Sequence, residues 1–264
     1  MLSPELPERH RLSTLMRIRN ILLGVVKKLL TKIKRFVRQV PNLGIRRRCP
    51  VCRMWFRRFG EYGIVPRKDA RCEWCGALER HRLVWLYFHR MTDLFKGHSK
   101  SMLHVAPERM FGKLLKRRLG TGYLTADLHN PNAMVRMDIT DIDYPDETFD
   151  VIYCSHVLEH VSDDKRAMDE LHRVLKSDGW AVFLVPITAD RTIEDTSIND
   201  PSDRLRIFGH KSHVRRYGRD FVERLRQVGF KVKATAASDF LTAKEIQRIG
   251  VSNAPRMIYE CTKR

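Results

Sequence analysis

Residues 149–161 read Phe149-Asp150-Val151-Ile152-Tyr153-Cys154-Ser155-His156-Val157-Leu158-Glu159-His160-Val161. Phe149 to Cys154 is a short, mostly apolar run, which suits a buried strand and is too short for a core helix. Ser155 and His156 end it. Working outward, Met168, Leu171, Val174 and Leu175 recur at helical spacing. That helix is expected to stop at Asp178-Gly179, where glycine would supply a left-handed cap. Trp180 to Val185 then reads as another strand, stopped by Pro186. Upstream, Ser101 to Ala106 is a short strand, followed by a helix through Phe111, Leu114, Leu115 and Leu119. Gly122 to Asp127 and Val135 to Ile139 are two further strands. Such alternation predicts an α/β fold with a doubly wound, mostly parallel sheet. Its ligand is expected beyond the carboxyl ends of the strands, where the strand order reverses. Cys154 and Cys261 fall in apolar strand patterns and read as inert core residues.

Ahead of this alternation lies a cysteine module. Cys49-Pro50-Val51-Cys52 is followed, 19 residues later, by Cys72-Glu73-Trp74-Cys75-Gly76. Each Cys-x-x-Cys pair can turn two thiolates toward one point, and two pairs complete a tetrahedral four-sulfur site for structural zinc. Residues 49–76 are therefore read as a zinc ribbon with Cys49, Cys52, Cys72 and Cys75 as ligands. A stretch this short buries too little surface to fold unaided, so the metal is expected to stabilise it. Residues 77–100 read as a connecting helix through Leu78, Leu83, Leu86, Tyr87, Met91 and Leu94. His81 belongs to that helix rather than to the metal.

Of the 264 residues, 43% are hydrophobic and 31% charged, which fits a globular chain. The net charge of +19 is unevenly placed. Residues 1–48 hold 13 Lys/Arg against 2 Asp/Glu, residues 49–100 hold 11 against 5, and residues 101–264 hold 26 against 24. The first hundred residues are thus expected to face something anionic, a membrane surface or RNA. Residues 1–48 read as a basic amphipathic helix and linker. Leu12, Leu15, Met16, Leu22, Leu23, Val26, Leu29, Leu30, Ile33, Phe36, Val37 and Val40 keep helical spacing until Pro41. Such a helix can lie in a membrane interface, pack on its own domain or pair with a second copy. The longest uncharged apolar run, Ile21 to Val26, is far below the roughly 20 residues a spanning helix needs. A cytoplasmic protein, with peripheral membrane contact through the basic helix, is the expectation.

The 149–161 stretch resembles the fourth strand and following turn of class I S-adenosylmethionine-dependent methyltransferases, the type 11 group. Leu171 to Val182 resembles that group's next helix, glycine turn and fifth strand. Met137 to Asp141, with Tyr144 to Phe149, resembles the segment around its third strand. His213 to Asp220, followed by Val228-Gly229-Phe230, is similar to a late segment. The resemblance covers about residues 101–264. It implies a seven-stranded Rossmann-like methyltransferase domain, with last strands near Lys231 to Ala236 and Met257 to Thr262, and S-adenosylmethionine as cofactor.

The resemblance also implies roles. Asp127 would accept from the ribose hydroxyls, beside Leu128. Asp138 would accept from the adenine amino group, with Ile139 packed on the ring. Ser155 would lie near the methyl group, and His156 is the candidate catalytic base. The first loop departs from the group, which usually has an acid and glycines here. This chain has His104, Val105, Ala106 and Glu108, which are expected to make altered cofactor contacts. Three functions remain open on sequence: methylation of a small molecule, lipid or glycan; methylation of RNA recognised through the zinc ribbon; or a non-enzymatic binding module on the same fold. The methyl acceptor itself is not identified.

Overall fold

The computed structural model describes residues 8–39, 42–195, 197–251 and 257–263. Helix α1 (Glu8–Gln39) leads into β1 (Leu43–Arg48), β2 (Trp55–Phe56), β3 (Gly60–Tyr62) and β4 (Arg67–Arg71), which pair as two antiparallel hairpins. Helix α2 (Glu79–Arg90) precedes β5 (Met102–Val105), α3 (Arg109–Leu119), β6 (Tyr123–Asp127), β7 (Val135–Arg136), β8 (Phe149–Ser155), α4 (Asp164–Val174) and β9 (Leu175–Leu184). An excursion follows through β10 (Ile187–Ala189), β11 (Ile193–Glu194), α5 (Pro201–Phe208) and β12 (Arg215–Gly218). The chain ends with α6 (Phe221–Gln227), β13 (Phe230–Thr235), α7 (Ala243–Ile249) and β14 (Ile258–Lys263). The expected helix stop at Val40 and Pro41 lies outside the described residues.

Seven strands form one sheet in the order β13-β14-β9-β8-β5-β6-β7. β14 runs antiparallel to both its neighbours, and the other pairings are parallel. The chain steps outward from β5 to β6 and β7, then returns to place β8 on the other side of β5. The order therefore reverses between β5 and β8. Strand periodicity divides the core. Ile152 and Cys154 face Leu103, Leu171 and Phe221 on one side of the sheet. Val151 and Tyr153 face Met102, Phe88 and Phe111 on the other. Burial keeps the Cys154 and Cys261 thiols well above their ordinary range, as inert core residues.

Two sequence expectations are corrected. Helix α4 ends at Val174, not at Asp178-Gly179, and Gly179 lies inside β9. The glycine serves a close approach rather than a left-handed cap. A Cβ there would stand 2.8 Å from the Asp150 carbonyl oxygen, at the bulge where Phe149 pairs Leu175 but Val151 already pairs Trp180. The third strand is also shorter than Val135 to Ile139. Asp138 Oδ1 accepts from the backbone N–H of Thr140 at 2.9 Å, a local turn that competes with strand pairing.

The cysteine module is not an isolated bead. Its Val51, Phe56 and Phe59 share one continuous core with Phe88, Phe111 and Tyr153. Arg82 of α2, fully buried, ties the units together. Its guanidinium donates to the carbonyls of Ala70 (3.0 Å), Ala77 (2.8 Å), Asp69 (3.0 Å), Ile249 (2.6 Å) and Gly250 (3.1 Å). It also lies 4.1 Å from the Phe59 ring centroid. Every donor of a buried cation is thereby answered, which is what makes its burial tolerable. The shared core is thus a source of ribbon stability in its own right.

Helix α1 behaves differently. Met16, Ile21, Leu22, Leu29 and Val37 are each more than half exposed. Its described apolar stripe is not packed on the rest of the chain. Among the described residues no helix is long and apolar enough to cross a membrane.

Candidate functional site

Beyond the carboxyl ends of β5, β6 and β8 lies a cleft of about 710 Å³. It is lined by Val105 and Ala106 at the end of β5, Asp127 and Leu128 at the end of β6, Asp138 and Ile139 after β7, and His156 after β8. Seven of the ten cofactor and catalytic candidates thus converge at the reversal of strand order. Asp127 Oδ1 accepts from the backbone N–H groups of His129 (2.8 Å) and Asn130 (2.7 Å). Asp138 Oδ1 is held by Thr140 in the same way, through the hydroxyl (2.8 Å) as well as the N–H. In each case one oxygen fixes a turn and the other has no hydrogen-bond partner among the described residues. Both carboxylates are therefore oriented and still able to accept from a ligand. Ile139 is buried beside them.

Two residues on this rim adopt left-handed backbone without being glycine: Ala106 with φ 49° and His156 with φ 56°. Such conformations cost on the order of 1 kcal/mol or more and cluster at functional sites. Ala106 thus supplies the backbone shape that glycine gives elsewhere, at the end of the first strand.

His104, Glu108 and Ser155 do not line the cleft. The side chains of His104 and Glu108 point away from the cleft, into the core beneath the first loop. His104 is fully buried. Its Nδ1 is 2.7 Å from the Tyr123 hydroxyl and its Nε2 is 2.7 Å from Glu108. Tyr153 donates to Glu108 at 3.2 Å, and His81 lies 3.4 Å from it. The two residues anchor the first loop from beneath. Ser155 is likewise buried.

This network makes the fold acid-sensitive. Burial opposes ionisation of Glu108, yet the hydrogen bond and charge of His104, with His81 and Arg80, lower its carboxyl to about 2. Burial lowers His81 to about 3 against the pull of Glu108. The unfolded chain takes protons on these groups from about pH 6.5 and pH 4.5, well before the folded one. Stability is therefore expected to fall as pH drops from 6.5 and to fall more steeply from 4.5 toward 2. Glu108 alone contributes on the order of 3 kcal/mol to that loss. Urea midpoints at pH 7, 5, 4 and 3 check this. Glu108→Gln should flatten the decline below pH 4.5, and an unchanged slope would count against the network.

His156 also lines a second cavity of about 990 Å³. Leu184, Val185, Pro186 and Ile187 form one wall, after β9. Tyr62, Gly63, Ile64 and Arg67 of the ribbon hairpin and Arg80 of α2 contribute the rest, with Thr188 and His210. His156 Nδ1 is 3.1 Å from Glu159 Oε1, and Glu159 is fully buried. Burial opposes ionisation of Glu159, but the adjacent His156 holds the carboxyl below its ordinary range. A carboxylate at Nδ1 favours the proton there and makes Nε2 the basic nitrogen.

Sequence reasoning missed the ribbon's share of this cavity. The one signal was Glu79-Arg80-His81-Arg82, four polar residues that open the helix ahead of the apolar run Leu83 to Phe88. It also missed Arg215, which is buried and donates to the carbonyls of Leu158 (2.8 Å), Ser162 (2.8 Å) and Val161, fixing the 157–163 wall. The acidic residues after β9 are occupied elsewhere. Asp200 caps α5, Asp203 pairs with Arg206, and Glu194 pairs with Arg215 and Arg224.

In the ribbon, the four cysteine sulfurs lie within 4.8 Å of one another. Cys49 to Cys75 is 3.6 Å and Cys52 to Cys72 is 3.7 Å. A tetrahedron with 2.3 Å zinc–sulfur bonds has edges of about 3.8 Å, so the sulfur cluster has the right size. The two knuckles share one geometry. Arg53 N–H donates to Cys49 O (2.8 Å) and Gly76 N–H to Cys72 O (2.7 Å), and both residues have positive φ.

The sheet order, with a cleft at its reversal and carboxylates on the strand ends, defines a doubly wound α/β fold with a ligand cleft at its switch point. Residues 101–183 match the protein family described as a methyltransferase domain. That segment runs from β5 into β9. Over 72 residues the chain is 36% identical to an uncharacterised methyltransferase, YcgJ, of Bacillus subtilis, covering 27% of each chain. Over 63 residues it is 36% identical to an uncharacterised protein of Methanocaldococcus jannaschii, covering 24% of this chain and 27% of that one. The matched stretch spans about a quarter of either relative. A solved S-adenosylmethionine-dependent methyltransferase from Mesorhizobium loti is 17% identical, with a TM-score of 0.48, covering 69% of this chain and 98% of that one.

Proposed function

We propose that the protein transfers a methyl group from S-adenosylmethionine to an acceptor held in the larger cavity. The observation that carries this reading is that His156 lines both spaces, the carboxylate-bearing cleft and the larger cavity beside it. In the cleft, Asp127 would accept from ribose hydroxyls, Asp138 from an adenine amino group, and Ile139 would cover the ring. The cofactor supplies an already activated methyl group on a sulfonium, so the protein's work is chiefly alignment and exclusion of water. An acceptor O–H or N–H passes its proton to His156 Nε2 as its heteroatom takes the methyl group. Glu159, buried against Nδ1, steadies the imidazolium that forms. Ultraviolet cross-linking with radiolabelled S-adenosylmethionine should label peptides within 127–140 and 156–163. Label confined to other segments would overturn the assignment of the cleft.

Zinc in the four-cysteine site would hold the ribbon hairpin over the acceptor cavity. Helix α1 is proposed to dock on an anionic membrane surface. Its exposed apolar stripe, with Arg17, Arg19 and Lys27 beside it, suits acyl chains and headgroups together. Deleting residues 1–40 removes ten basic and two acidic residues. The truncated protein is expected to bind phosphatidylserine vesicles at least ten-fold more weakly at low salt, with cofactor affinity unchanged. In the full chain this binding should weaken as salt rises. Equal vesicle binding by both proteins would contradict the membrane role.

A further inference from the structure

The larger cavity carries positive charge on its wall, from Arg67 and Arg80. Arg80 Nε is buried and has no hydrogen-bond partner among the described residues. Arg67, on the same wall, is taken up by Glu79 at 3.1 and 3.4 Å. Glu108 lies close enough to feel Arg80, but its oxygens are engaged by His104 and Tyr153. Among the described residues no aspartate or glutamate lines this cavity. Arg80 is only half-buried, so the rest of its guanidinium borders the cavity, where an anion would accept charge-assisted hydrogen bonds. The facing surface is apolar. Ile64, 68% exposed at the hairpin tip, looks across to Val185 and Ile187. The volume is that of a site for a small molecule, not for a nucleic-acid duplex.

We infer that Arg80 anchors an anionic group, phosphate or carboxylate, of the methyl acceptor, while the acceptor's apolar body rests against Ile64, Val185 and Ile187. This inference rests on the methyltransferase reading and adds the acceptor's chemistry to it. The ribbon then does more than stabilise itself, because its hairpin forms part of the substrate wall. The sequence made this hard to see: Arg80 is one of fifty Lys/Arg, and only the fold sets it apart from the rest.

The test is calorimetric titration of the full chain, preloaded with S-adenosylhomocysteine, with phenyl phosphate, benzoate and phenol as probes. Wild type is expected to bind at least one of the two anions ten-fold or more tightly than phenol. Arg80→Met should lose that preference, and Arg80→Lys should retain part of it, since the charge survives without the planar fork. S-adenosylhomocysteine affinity should be the same in all three proteins. Arg80→Lys keeps the charge near Glu108 and should keep the wild-type thermal midpoint, whereas Arg80→Met gives up that charge; if Arg80→Met fails to fold, Arg80→Lys alone decides by a loss of several-fold. Anion binding that is absent from wild type, or equal in wild type and the variants, overturns the inference while leaving the methyltransferase reading intact. Failure of wild type to bind S-adenosylhomocysteine overturns both.

Discussion

Cys49→Ser is expected to release the metal and to lower the thermal midpoint of the whole protein by about 10 °C or more. Structural zinc sites hold on the order of 10–16 kcal/mol of binding free energy in small modules. Only part of that reaches global stability here, because the ribbon also draws on the shared core around Phe59 and Arg82. A loss of about 4–5 kcal/mol would still shift the midpoint by roughly 10–20 °C in a domain of this size. The coupling runs through α2. If the ribbon loosens, Arg82 loses its acceptors at Asp69, Ala70 and Ala77 and becomes a buried, unpaired cation. Elemental analysis should find one zinc per wild-type chain and none after Cys49→Ser. Cys154→Ala should keep the metal, as Cys154 lies in the sheet core. Zinc retained by Cys49→Ser, with an unchanged midpoint, would refute the four-sulfur site.

The parts legible in the sequence were those where periodicity and spacing carry the information. The apolar run at Phe149 to Cys154 and its polar end announced a buried strand and a site beside it, and β8 is the fourth of the seven strands, at the centre of the sheet. The Cys-x-x-Cys spacing announced the sulfur cluster. Asp127 and Asp138 could be placed because strand ends converge in any sheet of this winding. What the sequence hid was side-chain direction. His104 and Glu108 flank the first loop on paper, but strand alternation turns His104 away from the cleft and Glu108 follows it. Gly179 read as a helix cap because a bulge has no periodic signature, and only the packing on Asp150 reveals its purpose. The cavity wall contributed by Ile64 and Arg80 depends on how the ribbon docks, a long-range contact that local pattern does not encode.

Asp127→Ala is expected to weaken S-adenosylmethionine binding by ten-fold or more. A charged acceptor contributes about 1.5–3 kcal/mol per hydrogen bond, and about 1.4 kcal/mol is a factor of ten. The loss of the Oδ1 bonds to His129 and Asn130 should loosen the loop after β6 as well. The sheet should survive, since Asp127 sits at a strand end and outside both apolar clusters. Asp138→Ala should have a smaller effect, because Ile139 keeps its apolar packing. The central claim is that the cleft between β5, β6 and β8 holds S-adenosylmethionine with Asp127 as its ribose anchor. Calorimetric titration of S-adenosylhomocysteine into wild type and Asp127→Ala tests it most directly. The account predicts saturable one-to-one binding to wild type and at least ten-fold weaker binding to the variant. No binding to wild type at millimolar ligand, or equal affinity in the two proteins, would contradict it.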